Sequence, residues 1–223
     1  MKKHYIILLT IICTSKFWAQ INVFNEYKTQ GVAINSTSNT LFLANTEIDK
    51  IHKVNLNDPN YTSSVLISNV NKPQGIKFHN GFLYASLNPT DNELDKIIKI
   101  NISNATPVAY TLTNSIPNPN GLFIHNDKLY VSSNNSIYTI DLLTENALPI
   151  LFTDKLISIK SRVGMCIVND YLYIIDIGKL VKFDINSQNP IRQVVDNNFW
   201  GHGLATANET LIILVSRIIG FIF

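Results

Sequence analysis

Charge is scarce in this chain. Of its 223 residues, 15% are Asp, Glu, Lys or Arg, and the formal net charge is +2, against about a quarter charged in an ordinary soluble chain. That balance excludes a nucleic-acid partner, because no basic stripe is present to neutralise phosphates. Lys2-Lys3 is the only Lys/Arg doublet. Cysteine is nearly missing as well. Cys13 and Cys166 are the two thiols, and Cys13 lies in a segment that reads as an export signal, so the mature chain keeps one thiol and no internal disulfide. Cys166 sits in the apolar run Val163-Gly164-Met165-Cys166-Ile167-Val168 and reads as a small buried hydrophobe in a strand. Sustained 3.6-residue periodicity is absent, which excludes a helical fold. Long apolar runs are absent too. Leu211 to Phe223 is interrupted by Arg217 and is too short to cross a bilayer. No Ser-His-Asp order, zinc-ligand spacing or phosphate loop occurs.

What is present begins with a leader. Lys2, Lys3 and His4 form a basic start, and Tyr5 to Cys13 is apolar. That length suits a signal peptide and not a membrane span. Cleavage after Ala19 is expected, giving a signal at 1–19 and a secreted or periplasmic body at 20–223. Uncharged polar and β-branched residues dominate that body, a composition that favours strands joined by tight polar turns.

A repeat organises the body. Gly31, Gly75, Gly121, Gly164 and Gly203 stand 39 to 46 residues apart. Each opens an apolar strand, followed by a polar turn and a second strand of Leu-Tyr character, as in Gly75-Ile76-Lys77-Phe78 with Phe82-Leu83-Tyr84-Ala85-Ser86. Asn and Asp in the turns tolerate the positive φ that tight hairpins need. A third strand alternates with period two, as in Ile97 to Asn101. Fourth strands are expected at Ser63–Ile67, Val108–Leu112, Ala147–Leu151 and Ile191–Val195. Four antiparallel strands per repeat make the blade of a β-propeller. The fold expected is therefore all-β, a propeller of four-stranded antiparallel blades with five visible repeats. Two forms stay open. Ile21 to Tyr27 adds to the fifth repeat and closes a five-bladed ring, or the chain is a truncated six-bladed ring. The repeat glycine is expected where innermost strands crowd and backbones approach.

The strings Lys72-Pro73-Gln74-Gly75-Ile76 and Asn118-Pro119-Asn120-Gly121-Leu122, the latter running on to Asp127-Lys128-Leu129-Tyr130-Val131, resemble NHL-type and SMP-30/gluconolactonase-like repeats. The resemblance covers nearly all of 20–223 and is more specific for the propeller than for any activity. In the lactonase branch it implies a divalent metal, of the kind that suits Ca²⁺. Its ligands there are a first-blade Glu, the Asn of a Pro-Asn-Gly and the Asp of a Pro-Asp-Gly. Asn120 matches the asparagine. Arg162-Val163 stands where Pro-Asp is needed, and no acid precedes Gly31 in a matching way, although Glu26 is nearby. The metal site expected is degenerate, so the chain is expected to need no cofactor.

The residues before the repeat glycines are Gln30, Gln74, Asn120, Val163 and His202. They are expected to line one mouth of the channel, either as a hydrogen-bonding pocket or as caps on neighbouring loops. Trp200-Gly201-His202-Gly203 combines rings that stack on a sugar with glycines that suit an inter-blade loop. Asp176 ends a strand as a turn residue, a metal ligand or a general acid/base. His79 and His125 recur in hairpin turns and mark repeat ancestry. The leading expectation is a secreted binding or scaffolding module for an extracellular protein, peptide or glycan, without enzymatic activity and without a membrane span after signal removal. The alternative is a channel-mouth hydrolase around Asn120 and His202.

Overall fold

The computed structural model describes residues 29–89, 93–157, 164–197, 199, 201–207 and 210–215. The expected leader at 1–19, the segment Ile21 to Tyr27 expected to close a five-bladed ring, residues 216–223, Val163 and Trp200 lie outside the described residues. Among the described residues every regular element is a β-strand, and no helix is long and apolar enough to cross a membrane.

Four sheets have four antiparallel strands each. The first is β1 (Thr29–Asn35), β2 (Thr40–Asn45), β3 (Lys50–Asn55) and β4 (Ser63–Ser68). The second is β5 (Pro73–His79), β6 (Phe82–Leu87), β7 (Lys96–Asn101) and β8 (Ala109–Thr113). The third is β9 (Pro119–His125), β10 (Lys128–Ser133), β11 (Ser136–Asp141) and β12 (Ile150–Thr153). The fourth is β13 (Met165–Val168), β14 (Tyr171–Asp176), β15 (Lys179–Asp184) and β16 (Gln193–Asp196). β17 (Gly201–Ala207) and β18 (Thr210–Val215) pair as the start of a fifth. Each sheet runs in simple up-and-down order, because each turn is short enough only for a hairpin. Three outer strands begin later than the sequence implies, β8 by a single residue, at Ala109 and not Val108. β12 starts at Ile150 and not Ala147, since Pro149 cannot donate to a ladder. β16 starts at Gln193 and not Ile191, with Arg192 drawn aside by an ion pair described below.

The hairpin tips have the backbone expected of them. Asn80 and Gly81, Asn126 and Asp127, and Asn169 and Asp170 all hold positive φ, between 46° and 81°. Both central residues of a type I′ turn need that sign.

First strands neighbour each other in sequence around the molecule: β1 by β5, β5 by β9, β9 by β13, β13 by β17. Period-two alternation then gives each strand one face per neighbouring blade. On β6, Leu83, Ala85 and Leu87 join Phe42, Ala44 and Ile51 of the first blade. Phe82 and Tyr84, between them, join Leu122, Leu129 and Val131 of the third. On β10, Tyr130 points the other way, with Leu172, Ile174 and Phe183 of the fourth. Among the described residues the core thus forms three inter-blade layers, where each fully buried Ile or Leu contributes roughly 1.5–3 kcal/mol. Cys166 is fully buried, and burial pushes its thiol up to about 12.

β3 also buries His52, whose Nδ1 lies 3.3 Å from the Ser63 hydroxyl. Burial first, and the Lys50 charge second, hold its pKa below the ordinary 6.5. The unfolded chain therefore takes up a proton that the folded chain refuses. The stability involved is complete above pH 6.5 and declines as pH falls through the window beneath it. Urea titrations at pH values from about 7 to about 5 should show this decline, and His52→Gln should flatten it. Equal slopes for both proteins would remove His52 as the source.

Candidate functional site

A β-bulge interrupts the first strand of each blade whose register spans the repeat glycine. Thr29 pairs with Asn45 and Gly31 with Ala44, leaving Gln30 extra. Pro73 pairs with Leu87 and Ile76 with Ala85, so Gln74 and Gly75 oppose Ser86 alone. Asn120 and Gly121 oppose Ser132 alone in the same way. Gly201 pairs with Val215 and Gly203 with Leu214, leaving His202 extra. The residue before each of these glycines is thus the inserted one. Bulges re-aim a side chain and free its backbone from the ladder.

The freed carbonyls dock the next blade. A Cβ on Gly31 would collide with the Gln74 carbonyl oxygen and lie 2.8 Å from the Ile76 nitrogen. A Cβ on Gly75 would collide with the Asn120 carbonyl oxygen and lie 3.1 Å from the Leu122 nitrogen. The close approach expected of the repeat glycine is present at both positions. Ser86 joins the contact: its hydroxyl accepts the Gly75 N–H at 2.9 Å and donates to the Asn120 carbonyl at 2.5 Å. Ser132 accepts the Gly121 N–H at 2.8 Å at the matching place.

Two aspartates fix the loops that enter these strands. Asp49 Oδ1 accepts the Lys72 N–H at 2.9 Å, and Asp95 Oδ2 accepts the Asn118 N–H at 2.7 Å. Lys72 and Asn118 both hold positive φ, 49° and 44°, immediately before Pro73 and Pro119. A lysine in that region costs about 1–2 kcal/mol, and Asp49 offsets part of it. Thr46 adds a hydrogen bond to the Pro73 carbonyl at 2.8 Å, and Ser133 donates to the Pro117 carbonyl. Sequence reasoning missed Asp49 and Asp95. Their signal was available: each precedes a third strand as Asp-Lys-Ile, at 49–51 and 95–97.

Gln30, Gln74 and Asn120 therefore sit on adjacent blades at one end of the first strands, each half-buried. They present neutral amides that donate and accept. Gln74 Nε2 reaches the Lys72 carbonyl at 3.4 Å. His202 is at the equivalent bulge in β17, beyond β13. Asp176 is elsewhere: fully buried at the end of β14, it accepts Arg192 Nε at 2.8 Å, Arg192 Nη2 at 2.6 Å and the Ile157 N–H at 3.1 Å. Its carboxylate is engaged in a strut within the fourth blade. Asn120, the other expected metal ligand, gives its main-chain carbonyl to Ser86, and its side chain is half-buried at the bulge. No group of three His, Cys, Asp or Glu is placed to hold an ion among the described residues. His79 has a structural part beyond ancestry, with Nε2 2.6 Å from Asp127 Oδ1. It ties the hairpin tip of the second blade to that of the third.

No family model matches the chain, and no curated protein does. Solved structures do. A chain of the nidogen/laminin complex is 14% identical over 83% of this chain and 71% of its own length, with a TM-score of 0.67. YjhT is 12% identical over 84% of this chain and 71% of its own, at 0.65. The extracellular domain of BT4673 from B. thetaiotaomicron is 18% identical over 81% of this chain, at 0.56, and this chain spans 25% of that one. Blade order, up-and-down sheets and these likenesses together define the class: the protein is a β-propeller. At these identities the likeness is one of fold.

Proposed function

We propose that the protein is an extracellular binding module that engages a protein partner through the bulged end of its first strands. The observation that carries this reading is the recurrence of the bulge. Gln30, Gln74 and Asn120 are set out side by side from a backbone held rigid by Asp49, Asp95 and Ser86. Rigid, half-buried amides fix hydrogen-bond partners at small entropic cost. They favour a polar, uncharged surface over a charged one. The leader-like first nineteen residues support an extracytoplasmic place. So does the company of the fold, which includes a chain of the nidogen/laminin complex and an extracellular domain. The NHL-like strings Lys72-Pro73-Gln74-Gly75 and Asn118-Pro119-Asn120-Gly121 belong to the same reading, because they are the loops that build the bulges.

A photo-crosslinking residue at position 74 tests it against the same residue at position 126, at the far end of β9. Position 74 should give one discrete adduct outside the cytoplasm, weakened by Asn120→Ala in the same chain. Equal adducts from both positions, or none, would sink the proposal.

A further inference from the structure

The chain has two Asn-Gly pairs, Asn80-Gly81 and Asn120-Gly121. In such a pair the glycine nitrogen can attack the amide carbon of the asparagine side chain. A glycine has no Cβ to hinder the approach, and its backbone turns freely. Asparagine is thermolabile in proteins, and the fold puts these two in opposite surroundings.

Asn120-Gly121 is locked. Both residues lie in β9 and are half-buried. The Gly121 N–H donates to Ser132 Oγ at 2.8 Å, and the Asn120 carbonyl accepts Ser86 Oγ at 2.5 Å. The Gly121 nitrogen reaches Asn120 Cγ only if the bulge opens. Asn80-Gly81 forms the hairpin tip between β5 and β6. Asn80 is exposed, and Gly81 has open space around it, with nothing within 4 Å of a built Cβ. No packed neighbour has to move for that tip to flex. The Asn80 amide also belongs to the tie between the second and third blades. Its Nδ2 lies 3.3 Å from Asp127 Oδ1 and 3.1 Å from His79 Nε2.

We propose that Asn80 is a site of spontaneous deamidation, which turns this hairpin tip from neutral to anionic. The Gly81 nitrogen bonds to Asn80 Cγ and gives up its proton. The Cγ–Nδ2 bond breaks, and ammonia leaves with that proton. Water then opens the five-membered imide. Its oxygen joins one of the two carbonyl carbons, the bond from that carbon to the Gly81 nitrogen breaks, and the nitrogen regains a proton. Opening at Cγ leaves aspartate at position 80. Opening at the main-chain carbon leaves isoaspartate, with the chain rerouted through Cγ. Nothing is oxidised or reduced, and the new acid ionises to add one negative charge. A donor to Asp127 is thereby replaced by a second carboxylate, and like charges at that range repel. The site lies at the end of β5 away from the bulge and is independent of the partner-binding reading.

Peptide mapping by mass spectrometry tests the proposal, on the full chain kept folded in warm, mildly alkaline buffer and on the same chain in urea. In the folded chain, position 80 should gain the mass of an amide-to-acid change about 10-fold faster than position 120 or more. Opening the bonds at Gly121 is a cost that Asn80 does not face. In urea the two positions should react at similar rates. Gly81→Asn keeps a residue that tolerates positive φ, and its Cβ should slow the reaction at Asn80 by about 10-fold. Asn80→Asp reproduces the aspartate product and should melt about 2–4 °C below the parent. Equal rates at 80 and 120 in the folded chain, an unchanged rate at Asn80 in Gly81→Asn, or Asn80→Asp melting with the parent would each overturn the assignment.

Discussion

Replacing Gly75 with alanine should lower stability by about 3 kcal/mol or more, near the upper end for an overpacked site. At about 2–4 °C per kcal/mol for a chain of this size, the melting point drops by about 6–12 °C. The reason is backbone against backbone. The added Cβ meets the Asn120 carbonyl and the Leu122 nitrogen, which no side-chain rotation relieves. The blade must shift, and Ser86 loses the short bond that holds Asn120. At a glycine with free space and ordinary φ, alanine stabilises by about 0.4–1 kcal/mol through the unfolded chain. The sign of the change therefore decides the matter. Gly81→Asn is the control. Gly81 has φ +81° and nothing within 4 Å of a built Cβ, and Asn80 beside it already holds positive φ. Its cost should stay within about 1 kcal/mol. A Gly75→Ala protein that melts at or above the parent temperature would mean the blades do not meet there.

Arg192→Met should cost about 3–5 kcal/mol. Asp176 has no exposed surface, and Arg192 gives its Oδ2 two short hydrogen bonds. Without the guanidinium a carboxylate is left buried beside the Ile157 N–H. With the same conversion, the melting point falls by about 10 °C. The double variant Asp176→Asn, Arg192→Met removes charge on both sides and should recover much of the loss, because the penalty is the stranded charge and not the missing pair. Thermal melts of the two single variants and the double one form the cycle. Additive losses would show that the pair does not act as a unit.

The contrast between these two sites shows what a sequence makes legible. Gly31 and Gly75 stood out because a repeat restates the same local solution at a fixed interval. The bulged residues Gln30, Gln74 and Asn120 were found by the same route, one position earlier. Cys166 was readable because its whole neighbourhood is apolar. Asp176 was visible as an acid at a strand end, but its partner was not. Arg192 lies 16 residues on, in a loop no pattern singles out. His79 and Asp127 are 48 residues apart and on different blades. Asp49 and Asp95 had a repeat signal that counts only once the Lys72 and Asn118 N–H groups are seen to need acceptors.

By itself the sequence determined the blades: strand length, alternation, hairpin chemistry and the place of each repeat glycine. All of these are set by interactions within one repeat. Only the tertiary structure decided which polar groups became struts and which were left open. Asp176, Asp49 and Ser86 were spent on internal contacts. The amides at the bulges were left half-buried. That choice depends on distances between blades, which arise when the inner strands pack and have no counterpart along the chain.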